Sequence, residues 1–289
     1  MLNFLGVLFD GLAYGTLLFL ISVGLSITLG LMGFINLAHG VFAMAGGYLL
    51  VTLMSMAGIG FLPALPIVFC VIALASLLLE RSLYRPLYKS AALNQVLLTV
   101  GIVFIAIAGA SYFWGPQQQP VLLPAALNGQ FSVFGLDLSR YRLFLMAIGV
   151  AITLVLVFGL ERTRFGAMIR ASVDNHRTAE SMGIRVERVF QVTFALGSGL
   201  AGLGGALGVN VLGLDPNFAL KYLVYFLLVV VVGGPGSVLG TLLAALLLGV
   251  ADIAGKYYVP EIGAFIIYAA MVILLLLFPH GLLGRRKAK

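Results

Sequence analysis

The sequence predicts an all-α polytopic membrane protein, and three observations carry that reading. Of 289 residues, 62% are hydrophobic and only 9% charged, with a mean hydropathy of +1.13, whereas about a quarter of the residues in soluble domains are charged. Apolar runs of about 20 residues, the length a helix needs to span the hydrocarbon layer, recur along the whole chain. Runs such as 96–110 do not alternate every second residue, which excludes the strand pattern of a membrane β-barrel.

The first run covers residues 4–30 and carries Gly11 and Gly15 at the small-xxx-small spacing that lets helices approach closely in lipid. After the broken stretch LMGFINLAHG, a helix rich in small residues is expected over 41–57. A turn over 58–63 then leads into a run over 66–79, followed by a polar cluster of Glu80, Arg81, Arg85 and Lys89. The next run, 94–114, ends in Tyr112, Phe113 and Trp114, an aromatic group suited to the membrane interface. Residues 115–140 contain three prolines and many turn residues, so no helix is expected there; QFSVFGLDLS fits a short hairpin. Further runs follow at 141–160, 189–212, 220–232, 238–252 and 262–278. Counting crossings gives eight or nine, depending on whether an interrupted segment re-enters the membrane. No shift in composition marks a separate soluble part, so 1–289 reads as one membrane domain. The first basic residue is Arg81, so the amino-terminal run lacks the basic start of a cleaved signal and is expected to be a retained helix. A single cysteine, Cys70, excludes an intramolecular disulfide.

The one long polar island is 161–188, ERTRFGAMIRASVDNHRTAESMGIRVER. It holds six of the 17 Lys/Arg and four of the ten Asp/Glu. Three basic residues lie in 80–89, six in 161–188 and four in the tail. Basic residues in short loops stay on the cytoplasmic side, so all three clusters are assigned there. The 115–140 loop and the amino terminus are then external. Because the positive charge flanks apolar runs, the net +7 reads as a topology signal and not as a nucleic-acid footprint.

Two apolar stretches are interrupted, one in each half: Leu31 to Gly40, with Asn36 and His39, and Gly233, Gly234, Pro235, Gly236 and Ser237. Such breaks release backbone groups that lipid cannot satisfy, so they persist only where protein or a watery cavity covers them. A pair of broken segments in two halves points to a translocation pathway, while two tight loops at the membrane surface would need the same residues. His39 is flanked by apolar sequence; a role on the pathway and a neutral imidazole tying the broken backbone together both fit. Asp10 lies near the outer end of the first run, and Asp252 sits at i,i+4 from Lys256.

Signatures of catalysis are missing. No Lys follows Gly240 in GGPGSVLGT, so the phosphate-loop pattern fails. Gly197, Gly199 and Gly202 satisfy G-x-G-x-x-G inside an apolar run, where helix packing explains them better. His39, His176 and His280 lack metal-ligand spacing. No cofactor or metal is expected, and energy for transport would come from an ion gradient or another subunit. Within the polar island, Asp174 is a fitting N-cap and Gly183 a fitting C-terminal glycine. A helix of about two turns is expected between them, with Ala179 and Met182 offering a small apolar face. Docking to a partner protein and resting on lipid headgroups are both open to such a helix.

The order of these motifs resembles the membrane permease subunits of branched-chain amino acid ABC importers. The resemblance runs through GLMGFINLAHG, YRPL at 84–87, SYFWGP, RASVDNHRTAESMGI, GGPGSVLGTLLAALLLG and PHGLLGR, along nearly the whole chain, and it fits the shorter of the two permease types. It implies a transmembrane permease domain paired with a second permease subunit, two cytoplasmic ATP-binding subunits and a periplasmic substrate-binding protein, in the inner membrane of a bacterial cell with a cytoplasmic carboxyl terminus. It implies that Arg170, Asp174, Arg177, Ala179, Glu180 and Gly183 belong to a coupling helix seated on an ATPase. Asn36, His39, Gly40 and Gly233, Gly234, Pro235, Gly236 and Ser237 would lie along the path. The chain itself would hydrolyse nothing. One departure matters: many members carry an acidic residue directly after the His-Gly pair, where this chain has Val41, so no role of that carboxylate transfers. The same family includes permeases for urea, short amides and aromatic acids. Outside the resemblance, an ion-coupled secondary transporter and a membrane scaffold are the competing readings.

Overall fold

The computed structural model describes residues 2–283 except Ile35, Lys89, Phe134 and His280, and gives the backbone alone for Leu2, Leu31, Met32, Val133, Glu161, Asp174, His176 and Ala264. His280, Lys89 and the basic tail from 284 onward therefore lie outside the described residues.

The apolar runs are helices α1 (Leu2–Met32), α2 (His39–Ser55), α3 (Phe61–Leu79) and α4 (Ala92–Trp114), then α5 (Arg140–Arg162). The polar island forms α6 (Arg164–Asp174) and α7 (His176–Ser181). The second half continues as α8 (Val186–Leu212), α9 (Phe218–Gly233), α10 (Val238–Tyr258) and α11 (Gly263–Leu277). A hairpin of β1 (Gln130–Val133) and β2 (Leu136–Ser139) pairs Gln130 with Ser139, where the alternation predicts it. Six of these helices are long and apolar enough to cross a membrane. By contrast, α2, α9 and α11 have 17, 16 and 15 residues, so each rises only about 22–26 Å.

Helix α3 starts at Phe61, earlier than the expected 66, because Pro63 falls in the first turn, where an N–H has no intrahelical acceptor anyway. Between α3 and α4 the chain makes a π-helical turn over Glu80–Tyr84 and a 3-10 turn over Arg85–Leu87. Helix α10 continues past Asp252 to Tyr258, and the expected pair forms, with Lys256 Nζ 2.6 Å from Asp252 Oδ2.

Ion pairs sort the connections onto two faces. Arg85 pairs with Glu187, so the end of α3 and the start of α8 share one face. Asp10 pairs with Arg142, which places the first turns of α1 beside the start of α5 on the other. Leu282 N donates to Val232 O at 2.8 Å, so the described carboxyl-terminal residues lie at the end of α9. The first of these faces carries the 80–85 and 161–188 basic clusters and is called the basic face below.

The centre of the bundle is α1 and α8. The most apolar window of each is 89% and 83% buried, against 17% for α4 and 11% for α5, which lie at the outside of the bundle. The first half and the second half pack as an inverted pair. Helix α1 lies on α10 as α8 lies on α3, α1 meets α9 as α8 meets α2, and α2·α3 matches α9·α10. Close approach at the centre depends on glycine. A Cβ on Gly197 would sit 2.9 Å from the carbonyl oxygen of Gly24, so the G-x-G-x-x-G glycines are packing residues, as expected.

Candidate functional site

Helix α1 ends at Gly33, whose φ of +62° and N–H bond to Leu29 O, 2.9 Å, turn the chain out of the helix. Asn36 then accepts the Ala38 N–H on Oδ1 at 3.0 Å and the His39 N–H on its carbonyl at 3.2 Å, an Asx turn that starts α2. Tyr84 OH, from the π-helical turn, donates to the same Asn36 Oδ1 at 3.3 Å. His39 Nε2 lies 2.9 Å from Ile21 O, an oxygen that only accepts, so this nitrogen carries the proton. Ile21 stands about 16 Å back along α1 from its end, so the break folds back into the bundle. Asn36 and His39 are each 2% exposed. Asn36 and His39 are therefore covered by protein, and His39 ties the stretch to α1.

A matching turn stands after α8. Gly213, with φ +74°, donates to Val209 O at 3.1 Å. Asp215 accepts the Asn217 N–H on Oδ1 at 2.8 Å and the Phe218 N–H on its carbonyl at 3.0 Å, and α9 begins. The sequence reading pairs the first break with 233–237; hydrogen bonding and packing pair it with 213–217. In the sequence the Asp215-Pro216 pair has the look of an ordinary surface turn, so nothing local marks it as the counterpart. The first turns of α2 and α9 meet, since a Cβ on Gly40 would come 2.8 Å from Ala219 O.

The break after α9 is of another kind. Gly234 and Gly236 take φ +90° and +83°, and Gly236 N donates to Ser26 O of α1 at 2.9 Å. Ser237 caps α10 by accepting the Gly240 N–H at 3.0 Å, and Thr241 Oγ1 donates to Ser26 Oγ or Ser237 O, each 2.7 Å away. Gly233 lies against Thr241 and is buried, while Pro235 is exposed. A cavity of about 290 Å³ opens here, lined by Gly30, Pro235, Gly236 and Ser237 on one side and by Gly166 and Arg170 of α6 on the other. Arg170 also donates to Leu160 O at the end of α5. One cavity thus brings together residues of the two sets, Arg170 from the polar island and 235–237 from the break.

The polar island departs from the expected cap. Asp174 is the last residue of α6, and Asn175, extended at φ −154°, caps α7 by accepting the Thr178 N–H at 3.0 Å. Asn provides the same acceptor as Asp one residue later, so α7 has six residues instead of about two turns. Its other end is as expected: Gly183, φ +82°, donates to Glu180 O at 2.9 Å, and Ile184 N reaches Ala179 O at 3.1 Å. Ala179 is buried, while Arg177 and Glu180 are exposed. A satellite core of Ile169 and Val189, with Leu160, Phe165, Met168, Ile184 and Phe190, holds this segment to α8.

Two of the carboxyl groups named in the sequence are buried. Glu80 is 1% exposed; Oε1 accepts from Tyr88 OH at 2.8 Å and Oε2 lacks a hydrogen-bond partner among the described residues. Burial and this hydrogen bond push the Tyr88 hydroxyl pKa up, so it remains a donor. Asp252 is wholly buried, and its Oδ1 is likewise unpartnered among the described residues. Only the i,i+4 lysine signalled either one.

A bundle of apolar helices, six of them long enough to cross a membrane, defines a multi-pass membrane protein. A family model described as the permease component of branched-chain amino acid transport systems matches residues 7–275, and the chain belongs to that family. It is 28% identical to the high-affinity branched-chain amino acid transport system permease protein LivH of Salmonella typhimurium, over 98% of this chain and 96% of that one. It is 27% identical to BraD of Pseudomonas aeruginosa, over 98% and 96%. Against LivM of Escherichia coli the identity is 25%, over 91% of this chain and 67% of the relative. No solved structure matches. The chain is therefore a transport permease.

Proposed function

We propose that this chain is the permease subunit of an ATP-driven importer for branched-chain or other hydrophobic amino acids. It pairs with a second permease subunit and alternates between inward and outward openings as two cytoplasmic ATP-binding subunits move. The basic face is cytoplasmic by the positive-inside rule, which puts the carboxyl terminus inside and the hairpin-bearing 115–140 loop toward a periplasmic substrate-binding protein, in a bacterial inner membrane. The observation that carries the reading is the position of α7. Arg177 and Glu180 are exposed on the basic face, and α6, which leads directly into α7, shares a cavity with Pro235, Gly236 and Ser237. A push on α7 would be carried by α6 to the break at 235–237, whose Gly236 N–H is bonded to Ser26 O of α1. Asn36, His39, Gly40 and 233–237 lie along the path, and Arg170, Asp174, Arg177, Ala179, Glu180 and Gly183 form the coupling segment.

The test is reconstitution with the partner subunits in vesicles. Glu180→Arg and Gly183→Pro separate ATP hydrolysis from uptake while the chain still inserts; normal uptake per ATP in both would refute the coupling role. Relatives for urea, amides or aromatic acids would share this architecture, because a separate binding protein selects the substrate. The buried Asp252 favours a second reading, an ion-coupled transporter. Uptake that survives loss of the ATPase and collapses with the ion gradient would establish it.

A further inference from the structure

The YRPL stretch has no part in the proposed mechanism so far, yet it touches both ends of it. Arg85 forms its ion pair with Glu187, in the first turn of α8, four residues beyond Gly183. The next residue back, Tyr84, is fully buried and donates to Asn36 Oδ1, the atom that also caps the start of α2. Tyr84 is held by aromatic contacts to both neighbours: Phe34 of the break at 5.6 Å and Phe194 of α8 at 5.1 Å between ring centroids. Phe194 in turn meets Phe42 of α2 at 5.7 Å. The π-helical turn over Glu80–Tyr84 inserts an extra residue per turn, which re-aims side chains at the end of α3; such turns are frequent at functional sites.

We infer that the segment from Glu80 to Tyr88 is a transmission element. Arg85 takes its position from Glu187 at the junction of α7 and α8, and Tyr84 passes that displacement to Asn36 and so to the first turn of α2. Tyr84, Arg85 and Glu187 are positioning residues that touch no substrate. The inference rests on the coupling role of α7. It adds a second route into the bundle, separate from the cavity between α6 and 235–237 and ending at the other break. The chemistry suits the task. The ion pair is exposed, with side chains 38% and 65% accessible, so it contributes little to stability. Its residues can therefore be exchanged without unfolding the chain. Tyr84 and Asn36 are buried, so a shift of one must be answered by the other.

The experiment uses the whole transporter in vesicles, with leucine uptake and ATP hydrolysis measured on the same sample. Arg85→Glu and Glu187→Arg alone each lower uptake per ATP by about tenfold, and the double exchange restores most of it. Tyr84→Phe, which removes one oxygen and keeps the ring, lowers the same ratio; Asn36→Ala lowers it less in the Tyr84→Phe protein than in the unaltered one, since the two share one bond while the Asn36 cap of α2 is lost in both. A double exchange no better than the single variants, or a Tyr84→Phe protein with an unchanged ratio, overturns the inference. Glu180→Arg is run in parallel. If it uncouples while the Tyr84 and Arg85 variants do not, the relay alone is wrong. If it fails to uncouple, the coupling role itself falls, and the relay with it.

Discussion

Gly40, in the first turn of α2, packs directly against Ala219, in the first turn of α9, so close that a Cβ on Gly40 would lie 2.8 Å from the Ala219 carbonyl oxygen. Two helices that each begin at an Asx turn, Asn36 in one and Asp215 in the other, therefore start against one another. This contact joins the two halves of the inverted arrangement, and it makes Gly40 a residue with no room for change.

Gly40→Val forces backbone apart and is expected to cost about 2 kcal/mol. Gly101→Ala, at a helical glycine with nothing within 4 Å of an added Cβ, is expected to stabilise by about 1 kcal/mol. Thermal unfolding of the two purified variants in detergent compares them, and uptake is lost only in the first.

Asn175→Ala removes the cap of α7 and should loosen it by about 1 kcal/mol. Asn175→Asp keeps the acceptor and should restore it. Limited proteolysis within 174–184 and affinity for the ATP-binding subunit both follow that order. Equal cleavage of the three proteins would mean that α7 does not depend on its cap.

Lys256→Ala leaves the Asp252 carboxylate buried without its partner, which is expected to destabilise by about 3 kcal/mol. Replacing both, Asp252→Leu with Lys256→Met, should recover most of the loss. Uptake by Asp252→Asn separates the two transport readings. It remains ATP-dependent in the importer, whereas an ion-coupled carrier loses its gradient dependence.

Tyr88→Phe takes away the only hydrogen-bond donor that reaches Glu80 among the described residues. Both carboxyl oxygens are then buried without a partner, at an expected cost of about 1–3 kcal/mol. A second change, Glu80→Leu, should relieve it, and thermal unfolding of the single and double variants measures the difference.

Much of the fold is legible in the chain by itself. Hydropathy marks the apolar helices of the described residues, and alternation marks the hairpin down to QFSV and LDLS. Prolines and glycines mark where helices stop, as Gly183 and Gly213 do. These signals are local: a run of apolar side chains or a positive φ acts on the residues beside it. The misplaced cap is a local error as well. The cap falls on Asn175 and not Asp174 because two adjacent residues offer the same acceptor, and only the direction of the backbone chooses between them.

The pairing of the breaks, the burial of Glu80 and Asp252, and the contacts Tyr84–Asn36 and Arg85–Glu187 were decided by tertiary structure. They join residues 48 and 102 positions apart, on helices whose rotation and depth depend on how α1 and α8 pack at the centre. Composition determined that this chain lives in a membrane, and charge determined which loops share a face. What brings the polar island within reach of the break at 235–237 is the register between helices, set by glycines such as Gly24 and Gly197 that let two backbones touch.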